Sequence, residues 1–519
     1  MNLDFLIRCL PTRLRSRWGF DANEQEFFST ISQSVGLMQS SDGPRMLLQM
    51  PTDYFCLSLF TVAVMQLRPS LLVGLWHQNI MSAPRAERFQ EGRRLLRRIF
   101  NLLDRLKWQR LYAVIGVERY CSLEVGVLTA LRHAWLARSI WRGLSSKEEL
   151  LGLVLRGTHC GDLIYDTYLR YRVQPTLDLD DPYLCTIITQ ALNAQTAMRR
   201  LLAVGEFEIF LTSYTSYVQH GIPVREALRV GVNVYSSGNL SQYFKRLDLD
   251  DVLHTAAHWR YLEQFESLPK PSTALEQARQ QLESRFKGGV DQATLYMKTS
   301  AFLSSDALMP EGVEAVVFLH DFFDSPHCHR NMLFVDFLEW ANFTLGVIQK
   351  YDLPIAVKPH PNQLEESREV VLELQRMYPE VKWLPVTLSN RTIFNSGIKC
   401  GISVYGTILH ELAYHGIPAL AAGDHPHTAF GIAITPDSIE SYERSLRDFR
   451  TLPLTTDVQK QVLSFYYMHN LYNSEGLALD FCGQNLRDID VVNSSGLQRF
   501  MTMYPRFLSL LRKKHSESK

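Results

Sequence analysis

Residues 45–76 read RMLLQMPTDYFCLSLFTVAVMQLRPSLLVGLW. The apolar run RMLLQM at the start has the length of a buried strand. Asp53 is a good N-cap for the longer mixed segment that follows, which therefore predicts a helix. A second apolar run, SLLVGLW, begins at Ser70 and predicts another strand. The order strand, helix, strand indicates a βαβ unit, in which the two strands are parallel.

The same alternation of strand and helix signals continues along both halves of the chain. It predicts parallel sheets with helices on both faces. We therefore predict an α/β protein with two Rossmann-like doubly wound domains that face a cleft. The other strand candidates are 111–117, 207–213 and 232–237 in the first half, and 314–320, 353–360, 381–386, 397–404 and 417–423 in the second.

The domain division follows from a break in this alternation. The stretch SLPKPSTALEQ (267–277) lies in a helical, charged segment, and a linker is expected between residues 265 and 305. We predict an N-terminal domain that would bind an acceptor, a C-terminal domain that would bind a donor, and a final helix with a tail. Their predicted ranges are 1–290, 291–490 and 491–519.

Composition excludes several classes of protein. Of the 519 residues, 46% are hydrophobic and 21% are charged, as in ordinary globular proteins. The 54 Lys and Arg residues equal the 54 Asp and Glu residues, so no overall charge favours a nucleic acid as partner. The eight cysteines form no CxxC pair, which argues against a zinc ribbon or a disulfide framework and favours the cytoplasm. Neither a signal peptide nor a membrane-spanning segment is expected.

Two motifs in the second half follow predicted strands and could bind phosphate. In KPHPN (358–362), two prolines restrict the backbone around His360 just before a predicted helix. In SVYGT (403–407), a glycine and three hydroxyl side chains stand just before or at the start of the next helix. Backbone N–H groups at a helix N-terminus bind anions well. Ordinary turns and helix caps are the alternative for either motif alone.

A third segment, HDFFDSPHCHR (320–330), is dense in ionisable residues and also follows a strand. His320, Asp321 and Asp324 are predicted to line the cleft. A zinc site at 327–329 is disfavoured because the chain offers no complementary pair of ligands at the usual spacing. Asp321 and Asp324 leave a divalent metal as an option, although no metal ligands are predicted.

The first half offers candidate catalytic residues. Asp162, Asp166 and Arg170 recur every four residues, so they would share one face of a helix, as a sugar-binding group or as a base with its orienting partner. A solvated ion-pair face is the alternative. His220 follows a predicted strand and could be a base, a phosphate contact or a structural histidine, and Arg225 would lie near it in the cleft.

Residues 84–110 predict a basic amphipathic helix. Leucine, isoleucine and phenylalanine recur with helical period among nine Lys and Arg residues. Such a helix could lie on an anionic membrane surface or bind a diphosphate-linked acceptor. An ordinary domain helix with a solvated basic face is the alternative.

The KPHPN motif, followed by SVYGTILHELAYHGIPALAAG (403–423), resembles the donor-binding domain of GT-B glycosyltransferases. The resemblance is to the transferases of bacterial capsule and lipopolysaccharide synthesis, including Kdo transferases and sialyltransferases with a His-Pro motif. It spans about residues 150–450 and includes GDLIYDTYLR (161–170). The implied fold is GT-B, and the implied role of His360 is contact with the donor phosphate.

The resemblance implies a set of donor-binding residues. The downstream motif of these families often has two adjacent hydroxyl residues, whereas Ser403 and Thr407 are four apart here. That spacing favours a nucleotide-sugar donor in general over a CMP-sugar such as CMP-Kdo in particular. The implied donor-binding residues are Lys358, His360, Asn362, Ser403, Tyr405, Gly406, Thr407 and Glu411.

The predicted function is transfer of a sugar from a nucleotide-sugar donor to a surface glycan or a lipid-linked acceptor. Asp166 is the first choice for base or nucleophile, ahead of Asp162 and His220. No cofactor is expected beyond the donor as co-substrate, and an anionic membrane is a further expected partner, at the inner face of the plasma membrane. A nucleotide-sugar epimerase and a non-catalytic glycan-assembly protein remain the alternatives.

Overall fold

Two α/β domains, each built on its own sheet, form the described part of the chain. This computed structural model describes residues 19–34, 39–76, 91–237, 243–254, 259–289, 300–302, 307–473, 477 and 494–517.

The helices and strands alternate in both domains as the sequence predicts, and we number them in chain order. The elements of the first part are α1 (Ala22–Ser32), β1 (Arg45–Gln49), α2 (Tyr54–Leu67), β2 (Leu71–Trp76), α3 (Glu91–Val114), β3 (Arg119–Ser122), α4 (Val127–Gly143), α5 (Lys147–Leu151), β4 (Val154–Leu155), β5 (Thr158–His159), α6 (Gly161–Tyr168), α7 (Tyr183–Gly205), β6 (Ile209–Thr212), α8 (Val218–Arg229), β7 (Asn233–Ser236) and β8 (Lys245–Leu247). Those of the second part are α9 (Tyr261–Glu266), α10 (Pro271–Phe286), β9 (Ala315–Phe318), α11 (Phe337–Lys350), β10 (Ile355–Lys358), α12 (Glu365–Met377), β11 (Lys382–Trp383), α13 (Asn390–Asn395), β12 (Cys400–Ser403), α14 (Thr407–Tyr414), β13 (Ala419–Ala421), α15 (Ile439–Arg447), α16 (Val458–Asn470) and α17 (Ser494–Glu517).

The first sheet has the strand order β3-β2-β1-β6-β7-β8. Its pairs are parallel except for β7 with β8, which is antiparallel. Successive residues of β1 point to opposite faces, so that Met46 and Leu48 enter one core while Leu47 enters the other. The order reverses between β1 and β6, which is the place where a doubly wound sheet opens a crevice for ligands.

The second sheet has the order β11-β10-β9-β12-β13, and all of its pairs are parallel. Val316 of β9 lies between Ala356 of β10 and Gly401 of β12. Its direction of winding reverses between β9 and β12, again as in a Rossmann sheet. The predicted fold class, two Rossmann-like doubly wound domains, is therefore confirmed.

Two segments pack differently from the predicted division, which put α9 and α10 in the N-terminal domain (1–290) and α17 in a separate final segment (491–519). Helices α9 and α10 pack on the core of the second sheet, where Tyr261, Ala278 and Phe286 are buried. The terminal helix α17 returns to the first domain, where Phe500 packs against Phe27 with ring centroids 6.0 Å apart. The first domain thus contains both the first and the last described helices. The second domain is formed by the part of the chain between them.

One predicted strand is wrong. Residues 111–117, predicted as a strand from their apolar sequence, form the end of α3 and the turn after it. Leu111, Tyr112 and Ile115 are fully buried at helical spacing, because the apolar face of the long helix continues into this run. The strand comes later, at 119–122, and is half-exposed at the edge of the sheet.

Helix α3 holds most of the predicted basic amphipathic segment, of which residues 84–90 lie outside the described residues. Arg105 stacks over the ring of Trp76 at 5.3 Å, and Lys107 forms an ion pair with Glu24 at 2.7 Å. Arg110 lies 4.7 Å from the ring centre of Phe20. These three cations therefore contact the protein itself. Within the described residues, no helix combines the length and the apolar character needed to cross a bilayer.

The packing of α17 predicts that truncation of Phe500 unfolds the first domain more easily. Phe500 is buried in the core, so Phe500→Ala should lower the free energy of unfolding by about 3–5 kcal/mol. Phe28→Ala is the matched control because that ring is partly exposed on α1, and it should cost less than about 1 kcal/mol. Urea titration followed by circular dichroism measures both, and equal losses would contradict the assignment of α17 to this core.

Candidate functional site

A cavity of about 1490 Å³ lies between the carboxyl ends of the two sheets and is lined by both domains. Parallel strands of one sheet end at a common edge, so residues that follow different strands meet there. The residues that follow or end strands and line the cavity are Asp53, Ser213, His320, Lys358, Ser403 and Tyr405. The predicted residues His220, Asp324, His360, Gly406, Thr407 and Glu411 line the same cavity.

Lys358 ends β10 and carries a buried ammonium group at the cavity wall. The residue is only 2% exposed. Burial lowers its pKa to about 8, and the nearby Glu411 carboxylate only partly opposes this effect. Removing an ammonium group from water is costly unless an anion approaches it. The position therefore favours a negatively charged ligand in the cavity.

The N-terminus of α14 forms the neighbouring part of the wall. Gly406 has a φ of 127°, a conformation that favours glycine, and a side chain in its place would meet no atom within 4 Å. No side chain caps the helix, and Thr407 and Ile408 also line the cavity. The first backbone N–H groups of an uncapped helix are donors without helical partners, so this end of α14 suits a phosphate group.

Arg285, which the sequence analysis missed, holds this helix in place. It comes from α10, donates to the Thr407 hydroxyl at 3.0 Å, and forms a buried ion pair with Glu411. Glu411, predicted to bind the donor, is therefore engaged by the protein. The Thr407 hydroxyl accepts from Arg285 and retains its own hydrogen for a ligand. Arg285 lies in the segment that the sequence suggests is a linker, so no local signal marked it.

His360 is held as a neutral imidazole. The backbone N–H of Asn362 donates to its Nδ1 at 3.2 Å, which leaves the hydrogen on Nε2. Burial, together with His320 and Lys358, lowers the pKa of His360 to about 4. The imidazole can thus donate a hydrogen bond without carrying a charge at neutral pH. Asn362 does not line the cavity itself, and its backbone serves to orient His360.

Ser403 and Tyr405 line the cavity but use their hydroxyl groups on the protein. The single hydrogen of the Ser403 hydroxyl is shared between the carbonyl oxygens of Phe318 (2.9 Å) and Tyr405 (3.1 Å), which joins the ends of β9 and β12. The Tyr405 hydroxyl donates to the carbonyl of Ser325 at 2.9 Å. The prediction that these two hydroxyls bind the donor needs correction, because their hydrogens are already used.

The three predicted cleft residues of the loop after β9 do not all lie at the cavity. His320 lies between Phe337 and Tyr405, 4.7 and 5.3 Å from their ring centres, at the cavity. Asp321 points away from the cavity, and its carboxylate accepts from the backbone N–H of Leu364 at 2.7 Å and from the Ser367 hydroxyl at 3.0 Å. It therefore ties the loop to the start of α12, which corrects its cleft assignment. Asp324 is exposed at the cavity rim.

The disfavoured zinc site gains no support from the geometry. Among the described residues, no group of three or more His, Cys, Asp and Glu side chains is arranged to bind a metal ion. His327 is turned toward Asp166, and His329 packs on the ring of Tyr405 at 4.2 Å.

Asp162 and Arg225 form a buried ion pair behind the cavity. The guanidinium of Arg225 binds both carboxylate oxygens of Asp162, at 2.7 and 2.5 Å. Despite its burial, the pKa of Asp162 is lowered by Arg225. Neither residue lines the cavity, because the bidentate pair joins α6 to α8. Their predicted placement in the cleft is therefore wrong.

Asp166 faces the other domain rather than the cavity. It is 2% exposed, and its Oδ1 lies 2.6 Å from Nδ1 of His327. Burial raises the pKa of Asp166 to about 6, although His327 opposes the shift. Arg170, one turn further on, is exposed in a π-helical turn (Leu169–Val173). Asp162 and Asp166 therefore do not form a cleft face as predicted, because tertiary contacts engage both carboxylates and neither lines the cavity.

The Asp166 pair belongs to a polar contact between the domains. The Tyr165 hydroxyl donates to Asp336 at 2.7 Å, and the Thr176 hydroxyl donates to the same carboxylate at 2.6 Å. Lys147 forms an ion pair with Glu339 at 2.5 Å. These contacts join α6, the segment after it and α5 to the start of α11.

His220 is the predicted catalytic residue of the first domain that does line the cavity. It lies in the first turn of α8, just after β6, with its ring 5.8 Å from that of Tyr214. Asp53, seen in the sequence only as a helix cap, lines the cavity next to the switch point of the first sheet. Its carboxylate accepts from the Cys56 N–H at 2.7 Å, and burial raises its pKa.

Comparisons with solved structures find matches of low sequence identity and low TM-score. A UDP-GlcNAc 2-epimerase from Methanocaldococcus jannaschii is 8% identical, with 80% of this chain and 96% of that chain covered and a TM-score of 0.28. The Neisseria meningitidis UDP-GlcNAc 2-epimerase is 11% identical, with 83% and 95% covered and a TM-score of 0.27. The spinosyn rhamnosyltransferase SpnG is 10% identical, with 82% and 94% covered and a TM-score of 0.24.

No protein-family model matches the chain, and no curated protein matches its sequence. The class of fold follows from the sheets themselves, because two Rossmann-like domains with their carboxyl edges at a common cavity form a GT-B arrangement.

Proposed function

We propose that the protein is a glycosyltransferase that moves a sugar from a nucleotide-sugar donor to a glycan or lipid-linked acceptor. The observation that carries this proposal is the set of anion-binding groups at the carboxyl edge of the second sheet. Lys358 supplies a buried charge there, α14 supplies an uncapped N-terminus, and His360 supplies a neutral donor. Together they suit the phosphates of a nucleotide sugar.

The size of the cavity supports transfer between two substrates. At about 1490 Å³ it exceeds the range of about 300–1,000 Å³ that is usual for a pocket with one small ligand. The anion-binding groups named above lie on the wall of the second domain, and His220 and Asp53 lie on the wall of the first. The remaining space suits an acceptor hydroxyl, a group that an epimerase does not need to bind.

The proposed reaction forms a bond between the acceptor oxygen and the anomeric carbon and breaks the bond from that carbon to the phosphate oxygen. The nucleotide leaves with the bonding electrons, so negative charge grows on its phosphate. Lys358, the Thr407 hydroxyl and Nε2 of His360 would stabilise this charge, and these groups make a divalent metal unnecessary. His220 would take the proton of the acceptor hydroxyl, since Asp166 and Asp162 lie outside the cavity.

An assay of a nucleotide-sugar panel, including UDP-sugars and CMP-Kdo, tests the class of reaction. We expect release of the free nucleotide, stimulated by a lipid-linked or synthetic glycan acceptor. An isomerised sugar nucleotide with no free nucleotide would instead show an epimerase. Neither binding nor turnover of any donor would favour a non-catalytic glycan-assembly protein.

The pKa of Lys358 predicts how donor binding changes with pH. Its ammonium loses its proton near pH 8, so the Kd for UDP-GlcNAc should be constant below pH 7 and rise about tenfold per pH unit above 8. Lys358→Arg keeps the charge and should flatten this rise, measured by calorimetric titration. Lys399→Arg, at an exposed position, is the control and should retain it. A flat profile in the unsubstituted protein would contradict the proposed phosphate contact.

The base is tested by separating turnover from donor binding. His220→Gln should lower kcat by about 100-fold or more with donor Kd nearly unchanged, whereas His360→Ala should mainly weaken donor binding. Asp166→Asn removes the charged partner of His327. It should therefore lower the free energy of unfolding and weaken the contact between the domains. If Asp166→Asn instead abolished turnover with normal stability and donor affinity, Asp166 would be the catalytic group and His220 would not.

A membrane-bound acceptor and a cytoplasmic location belong to the same proposal. The membrane-bound acceptor derives from the sequence resemblance to enzymes of capsule and lipopolysaccharide synthesis, and the cytoplasmic location derives from the spacing of the cysteines. The N-terminal arginines and residues 84–90 lie outside the described residues, and the described cations of α3 from Arg105 onward contact the protein.

A further inference from the structure

Helix α4 exposes large apolar side chains on one face, away from the cavity. In this 17-residue helix, only His133 and Ala137 are buried. Leu128 and Leu131 are 84% and 63% exposed, and Trp135 is 75% exposed. Positions spaced by three and four residues lie on the same side of a helix, so these side chains form one stripe. Such exposure of a tryptophan beside two leucines marks a surface that binds a partner.

The same helix is basic. Residues 127–143 contain Arg132, Arg138 and Arg142, all exposed, and no Asp or Glu. An apolar stripe with arginines around it matches the interfacial region of a bilayer, where apolar side chains enter the acyl boundary and cations meet the phosphates.

A basic groove adjoins the stripe. The groove, about 560 Å³ in volume, lies between α4 and α7 and is lined by Leu128, Thr129, Arg132, His133, Arg156, Thr196 and Arg200. Arg156 donates to the Thr196 hydroxyl at 2.7 Å and contacts Nε2 of His133 at 3.0 Å, both uncharged or weakly basic groups.

The three guanidinium groups of this groove are not neutralised by the protein. Throughout the described ranges, no carboxylate lies within ion-pair distance of Arg132, Arg156 or Arg200. The neighbouring Arg199 does have such a partner, Glu226, at 2.8 Å. Burial, Arg199 and Arg132 all lower the pKa of Arg156, as expected for a group among like charges.

We propose that the α4 stripe and the basic groove beside it form a docking surface for an anionic phospholipid bilayer. Leu128, Leu131 and Trp135 enter the bilayer interface, and the arginines of the groove bind a lipid phosphate. Charge complementarity selects this occupant, since three cations without acidic partners need anions and the adjacent stripe needs an apolar phase. The surface lies on a different helix from the segment 84–110 of the sequence prediction, and it does not depend on the proposed enzymatic activity.

Vesicle co-flotation of the full chain tests the charges. We expect binding to phosphatidylcholine vesicles that contain phosphatidylglycerol, weaker binding in high salt, and none to phosphatidylcholine alone. The triple variant Arg132→Gln, Arg156→Gln, Arg200→Gln should lower the partition coefficient about 100-fold, since each cation near an anionic surface contributes about fivefold. The matched control carries the same loss of charge at exposed or half-exposed arginines of the second domain, Arg279→Gln, Arg368→Gln and Arg376→Gln, and should bind normally.

The apolar stripe is tested separately. Leu128→Ser with Trp135→Ser should lower partitioning at least about tenfold, whereas Leu308→Ser, at an equally exposed leucine elsewhere, should leave it unchanged. The tryptophan emission should shift to shorter wavelength on vesicles, and Trp135→Phe should remove most of that shift. Circular dichroism should show that all variants remain folded.

Several results would overturn the proposal. They are equal binding to neutral vesicles, normal binding by the triple arginine variant or by the Leu128→Ser, Trp135→Ser variant, and loss of binding in the second-domain control. A change of oligomeric state in the α4 variants, seen by sedimentation velocity without any change in vesicle binding, would assign the stripe to contact between copies of this chain instead.

Discussion

The buried ammonium group of Lys358 is the feature on which the anion-binding wall of the cleft depends. It stands at the end of a central strand, almost out of contact with water, and Glu411 is largely engaged by Arg285. A cation in this position is stable only when something nearby favours positive charge. The uncapped start of α14 adds donors and no acceptors. The local field therefore selects an anion, and the wall is preorganised before the ligand arrives.

Preorganisation extends outward from that wall through side chains that never touch the ligand. Ser403 joins the ends of two strands, Asp321 fixes the loop after β9 to α12, and Asn362 sets the tautomer of His360. Such residues position the groups that bind and keep them from turning toward one another. Several of the polar residues that the sequence marked for chemistry have this supporting role.

The two domains are joined by polar contacts as well as by the chain. The carboxylates of Asp166 and Asp336 are both buried where α6 meets the second domain, and each has its partner across the boundary. Removing one member of such a pair leaves a buried polar group unpaired, which is costly, so these contacts resist separation. Asp166 is thus placed to govern how the two walls of the cavity face each other.

The sequence by itself determined the fold class and one wall of the site. Short apolar runs that alternate with helical periods are typical of a parallel sheet, and KPHPN and SVYGT lie at the same edge because parallel strands of one sheet end there. The same local rules failed at 111–117, where an apolar helix end resembles a strand. Only the tertiary structure decided the partners of Asp162, Asp166 and Arg285, and the return of α17 to the first domain. These depend on contacts between residues far apart in the chain, on which local periodicity carries no information.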